Sequence, residues 1–212
     1  SEMCIRDRLI IEVCILLPDV CYAFFSKDVH LLNMQNGLAD NTVSAVYKDK
    51  EGFIWFGTRN GLSRYDGRRI TNFERSRSYP SISNLKEVFD GVLAFVDNGV
   101  FSAFDLKKER FLSVVSSSGQ GIPSRGMLQR NDSLVWVISG SELHLMKRCA
   151  SKEGELRLRV EEKYTGWDNQ DNLLVAITYS SDKKSICLID EKGRIILLDA
   201  TNLSFFRVID LG

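Results

Sequence analysis

Two histidines and three prolines in 212 residues set the first limits. His30 and His144 stand in no metal-ligand spacing such as His-x-x-x-His, so a histidine-rich metal centre has little to draw on. Scarce proline leaves strand-length segments uninterrupted. Charge of one sign is also lacking: Lys plus Arg and Asp plus Glu both number 28. That balance gives no nucleic-acid footprint and no acidic tail, and nucleic acid is not expected as a partner. Long helical patterning is missing, and no glycine-rich phosphate loop opens a helix. No cofactor is expected. What remains, 44% hydrophobic and 26% charged residues, is ordinary for a globular chain.

The N-terminal part is set aside before the fold is read. Leu9–Ala23, LIIEVCILLPDVCYA, is short for a bilayer span and suits a signal-peptide core closing on Cys21-Tyr22-Ala23, with cleavage after Ala23. Glu12 and Asp19 are poor residues for such a core, and a buried segment of the mature protein is the other reading. Cys21 would fit a lipoprotein, but Val20 is large for the residue before a lipidated cysteine. Upstream, Met3-Cys4-Ile5-Arg6-Asp7 reads as a translated transposon adapter, so residues 1–8 are expected to be a sequencing artefact and the chain a fragment. The domain reading is therefore 1–8 artefact, 9–23 signal peptide, and 24–212 partial propeller. Beyond the leader only Cys149 and Cys187 remain, which is no disulfide framework.

A period organises the rest. Asp49-x-x-Gly52 leads into Phe53-Ile54-Trp55-Phe56, then Asn60-Gly61, then Tyr65-Asp66-Gly67. Asp90-Gly91 leads into Val92–Val96, Asn98-Gly99 and Phe104-Asp105. Asn131-Asp132-Ser133 leads into Leu134–Ile138 and Ser139-Gly140. Ser185–Ile189 is followed by Lys192-Gly193 and Leu197-Leu198-Asp199. The spacing of roughly 40 to 46 residues suits four-stranded propeller blades, placed at about 42–74, 83–115, 126–163 and 173–209. A strand such as Phe53–Phe56 does not alternate, as one covered on a single face would. Blades packed face to face bury their middle strands on both sides, which accounts for the continuous run. The fold class expected is all-β, a β-propeller fragment of about four four-stranded blades in an open arc. Val29–Met34 reads as an outer strand.

The first unit carries a resemblance. Asn36-Gly37-Leu38-Ala39-Asp40-Asn41-Thr42-Val43, Asp49-x-x-Gly52-Phe53-Ile54-Trp55-Phe56-Gly57-Thr58 and Asn60-Gly61-Leu62-Ser63-Arg64-Tyr65-Asp66-Gly67 resemble the two-component regulator propeller repeat. Later units fit loosely, with Ala94 in place of Trp55 and Val96 in place of Gly57. The resemblance implies a seven-bladed propeller in the periplasmic sensor region of a membrane-bound, often hybrid, histidine kinase. Such a region has a second propeller following, an oligosaccharide ligand and a receptor homodimer.

For ligand contact the expected loops join an outermost strand to the next innermost one: Arg75–Ser81, Ser116–Arg125 and Thr165–Asn172. Arg75, Arg77 and Tyr79 could hold an acidic sugar by charge-assisted bonds and stacking, and Trp167 could be a sugar platform. Each also reads as a solvated loop residue or a packed aromatic. No catalytic constellation is found. Asp49 resembles an Asp-box turn without its residue order and reads as a turn residue bonding its own backbone. His144, between Leu143 and Leu145, reads as structural. The alternative to a non-enzymatic sensor is a secreted polysaccharide lyase or glycosidase, which would need carboxylates clustered at one mouth of the channel.

Overall fold

Tight turns divide the chain into strands. In the computed structural model, which describes residues 31–74, 82–165 and 172–210, Gly61 and Gly67 take φ of 114° and 93°. Asn98 and Gly99 both turn left-handed, at 49° and 77°, the geometry whose twist matches a hairpin. Between such turns run sixteen strands among the described residues. The first meander is β1 (Val43–Lys48), β2 (Ile54–Thr58), β3 (Gly61–Tyr65) and β4 (Ile70–Glu74). The second is β5 (Ile82–Phe89), β6 (Val92–Asp97), β7 (Val100–Asp105) and β8 (Arg110–Ser116). The third is β9 (Gly126–Gln129), β10 (Leu134–Ser139), β11 (Glu142–Cys149) and β12 (Glu155–Tyr164). The fourth is β13 (Leu174–Tyr179), β14 (Ser185–Asp190), β15 (Ile195–Asp199) and β16 (Phe205–Ile209).

Strand pairing within each meander is antiparallel and sequential. Successive first strands β1, β5, β9 and β13 lie beside one another, so they are the innermost strands of a propeller. An aspartate recurs where a third strand turns into a fourth. Asp66 Oδ1 accepts from the N–H groups of Arg68 and Arg69, Asp105 from Lys107 and Lys108, and Asp199 from Thr201 and Asn202. Their carboxylates replace the carbonyls that these turn amides lack in the first, second and fourth meanders.

Burial follows the number of neighbours. Three apolar clusters fill the spaces between consecutive meanders: Trp55, Leu62, Ile82, Leu93 and Phe104 between first and second; Val96, Phe101, Val135 and Val137 between second and third; and Trp136, Ile138, Ile186 and Leu188 between third and fourth. Every residue of β6 is buried, and the middle of β10 likewise. In β14 and β15 burial alternates, as it does along part of β2, because these strands have a neighbour on one face. Val46 on β1 and Phe205 on β16 are 61% and 51% exposed.

The second and third meanders share more than a core. Strands β11 and β12 outgrow their meander past a register shift at Leu145/Met146, and Glu155–Leu158 pairs in parallel with Ser113–Ser116 of β8. That seam merges the two into one eight-stranded sheet. Lys108 and Arg110 reach Glu153 at 2.8 and 3.0 Å beside it.

Where it is described, Val29–Met34 is not the outer strand that was expected. Asn33 Oδ1 accepts from Asn36 N–H at 3.1 Å and Gly37 closes the turn at φ 101°, so Met34–Asn36 forms a 3-10 turn. Local side-chain bonding outcompetes extension here. The following segment then crosses the outer strands. Leu38 is buried, Asn72 Nδ2 donates to Gly37 O at 2.8 Å and Ala39 N to Ser63 Oγ at 3.2 Å.

Gly57 of the first meander lies close against Ile82 of the second. A Cβ there would stand 2.5 Å from Ile82 Cγ2 and 3.3 Å from Ala45 Cβ. Gly57→Ala is expected to destabilise the chain by about 1–3 kcal/mol through overpacking, read as a lower denaturant midpoint at unchanged slope.

Candidate functional site

The repeat signature converges on one turn. Asp49 Oδ1 accepts from Glu51 and Phe53 N–H at 3.0 and 2.9 Å, closing the β1–β2 turn. Its Oδ2 accepts from Trp55 Nε1 at 2.7 Å. Trp55 is 1% exposed and stacks on Phe73 at 5.6 Å, with Phe104 tilted against both. The Arg64 guanidinium lies over Phe53, Trp55 and Phe73 at 4.9, 5.6 and 5.6 Å, and its NH1 donates to Glu109 Oε1 at 2.6 Å. The turn-residue reading of Asp49 thus holds, and the carboxylate also seats the indole.

A cleft of about 340 Å³ opens beside this cluster, between the first meander and the turns of the second. Lys50 pairs with Glu87 at 3.4 Å and with Asp90, and Lys107 pairs with Asp90 at 3.0 Å. The two lysines pull the Asp90 carboxyl down to about 2. A neighbouring groove of about 430 Å³ runs under the β11–β12 hairpin tip, past Lys108, Arg148 and Glu153. Apart from Glu51, the cations and carboxylates lining the first cleft are engaged with one another or with turn amides. The arrangement can bind polar ligands but holds no paired nucleophile and base.

These clefts lie at the end carrying the β1–β2 and β3–β4 turns, and at the equivalent turns of the second and third meanders. Of the loops expected to carry ligand contacts, the described one, Ser116–Arg125, lies at the opposite end. Arg75, Arg77, Tyr79 and Trp167 fall outside the described residues, as does His30. The described loop Ser116–Arg125 is folded on itself. Gly119 N donates to Ser116 O at 2.9 Å and Phe101 N to Ile122 O at 2.8 Å, and Ile122 is buried. His144 is 9% exposed, and its Nε2 meets Glu142 Oε2 at 2.6 Å on the same strand. Among the described residues no group of three or more His, Cys, Asp or Glu is placed to hold a metal.

The sequence reading missed Arg64 and the Lys50–Asp90–Lys107 chain. Arg64 follows a signature glycine turn in a half-polar strand, and only the register that sets it opposite Trp55 gives it meaning.

Replacing Asp49 by Ala leaves a buried indole N–H and two turn amides without their acceptor. The expected cost is about 1–3 kcal/mol, measured by denaturant unfolding, with a red-shifted Trp emission. Asp90 is the pH-sensitive partner. Its carboxyl is lower in the fold than in the unfolded chain, so its contribution is complete above pH 4 and fades as pH falls towards 2. Asp90→Asn should melt below wild type at pH 7 and low salt, and the gap should close between pH 4 and pH 2.

Comparison with known proteins agrees with this geometry. Residues 37–60 match the model of the family described as "Two component regulator propeller". No curated protein matches the chain. Among solved structures, one similar fold is the extracellular domain of a B. thetaiotaomicron protein named as a one component system. It has a TM-score of 0.62 and 14% identity over 87% of this chain and 27% of that one. The Cps50 (Swd1) β-propeller domain of Myceliophteria thermophila has a TM-score of 0.55 at 16% identity, over 80% of this chain and 56% of that one. The WD40 β propeller domain of Doa1 gives 0.56 at 12%, over 81% and 54%. The chain therefore spans about a quarter of the first of these and little over half of the others. At such identities the shared property is the fold. Residues 37–60 are a two component regulator propeller repeat, set in an all-β chain with the propeller fold.

Proposed function

We propose that this chain is part of an extracytoplasmic, ligand-sensing propeller of a signal-transduction receptor. The observation that carries the reading is the regulator-propeller repeat at 37–60. The extracellular domain among its structural neighbours supports a location outside the cytoplasm. In this reading the ligand is an oligosaccharide, met at the loop end that includes 75–81 and 165–172. The signal passes to a histidine kinase elsewhere in the polypeptide, and the receptor works as a homodimer in the periplasm. No helix of the described residues is long and apolar enough to cross a membrane. Exposed Val46 and Phe205 support further blades as the neighbours of the two outer meanders; a second propeller of the same polypeptide belongs to the same reading.

Binding rather than turnover is supported by the innermost strands. Among their described residues Glu87 is the one carboxylate, and it is occupied by Gly91 N–H at 2.8 Å and by Lys50. A ligand stabilising one of two receptor states is then enough to signal.

Calorimetric titration with acidic and neutral oligosaccharides, followed by chromatography of the mixtures, tests this. Saturable heat with unchanged sugars is the expected outcome. Cleavage products would move the chain to the polysaccharide lyases or glycosidases.

A further inference from the structure

The third meander repeats the Asp49 turn with one change. Tyr47 pairs with Trp55 and Leu128 with Trp136, and each turn is closed by the same bond, Asp49 N to Phe53 O and Arg130 N to Leu134 O, both 3.0 Å. Arg130 therefore stands where the first meander has Asp49. Asp49 does two jobs, capping turn amides and accepting the indole proton. In the third meander the first job passes to Asn131, whose Oδ1 accepts from Ser133 and Leu134 N–H at 3.0 and 2.9 Å. The second passes to no carboxylate. Trp136 is fully buried, and its Nε1 makes no hydrogen bond of full geometry among the described residues; the Tyr179 phenol oxygen of the fourth meander is the acceptor within its reach. The Arg130 guanidinium lies over its ring at 5.1 Å and, having only donors, cannot accept that proton.

Arg130 lines a cleft of about 510 Å³ between the third and fourth meanders, with Gln129, Tyr179, Lys183 and Thr201. Unlike the equivalent cleft at Asp49, it contains two cations and no carboxylate. Neither cation's side chain forms an ion pair with the described residues. Burial raises the pKa of Tyr179, while the Trp136 indole and the Arg130 charge act on it in the other direction, so the phenol stands beside both.

We propose that this cleft binds the carboxylate of a ligand between Arg130 and Lys183, with the Tyr179 hydroxyl as a neutral donor and the Trp136 indole behind it. The ligand brings to this interface the negative charge that Asp49 brings to the first. Two cations without a carboxylate partner beside a phenol hydroxyl are complementary to an oxyanion. The site does not depend on the sensor reading and lies at the opposite end from the described loop Ser116–Arg125.

The test uses the 212-residue chain labelled with nitrogen-15, following the Trp136 indole resonance while sodium acetate or trigalacturonate is added. A saturable shift with either probe is expected. Acetate alone sufficing identifies a general carboxylate site, and a response to trigalacturonate only identifies a sugar-acid site. Arg130→Gln should weaken binding about tenfold, the worth of one charge-assisted bond. Arg130→Asp should restore the internal acceptor, raise Tm and abolish the shift. An indole that does not move with either probe, or that moves equally in wild type and both variants, overturns the proposal.

Discussion

Face-to-face packing of sheets is the constraint on which the rest depends. A four-stranded meander has two broad faces, and each neighbour removes one of them from water. Where both are covered, a middle strand gains nothing from a polar residue at any position, and β6 is buried from end to end. Where one is covered, alternation returns, as in β14 and β15. The same rule sets the tight spots. Gly57 lies against Ile82 because the innermost strands β1 and β5 converge, and Ser44 Oγ donates to Ile82 O across that junction.

Much of this was legible because hairpin chemistry and apolar runs are local signals. Asn60-Gly61 and Asp66-Gly67 mark turns by the backbone geometry they need, and Leu134–Ile138 marks a strand by composition alone. The parallel seam between β8 and β12 was not legible. It depends on β11 and β12 continuing past the end of their own meander, and nothing in Glu155–Leu158 names Ser113–Ser116 as its partner. Val29–Met34 misled for a different reason. Its apolar content reads as strand, while the Asn33 side chain and the Gly37 backbone dictate a 3-10 turn at its end.

The site was less legible than the fold. Loop residues chosen for their chemistry, Arg75, Arg77, Tyr79 and Trp167, fall outside the described residues. The described clefts are assembled from turn residues of two meanders at a time. Arg64 and Glu109 are 45 positions apart and meet only because one blade's third strand faces the next blade's outer turn. Such pairs carry no sequence pattern of their own.

Repetition supplies what single motifs cannot. One turn position, read across two meanders, shows which duties belong to the fold and which do not. Capping of turn amides is kept, by Asp49 in one and Asn131 in the other, because an uncapped turn would weaken any blade. Acceptance of the indole proton by a carboxylate is kept in the first and lost in the third, although both tryptophans are buried. A fold can tolerate that loss at one interface, since the remaining apolar contacts still close it. Selection on the blade alone gives no reason to set a cation over a buried donor. The departure from the repeat is therefore informative where agreement with it is not: the conserved duties describe the scaffold, and the altered one marks the interface at which the molecule presents different chemistry to its surroundings.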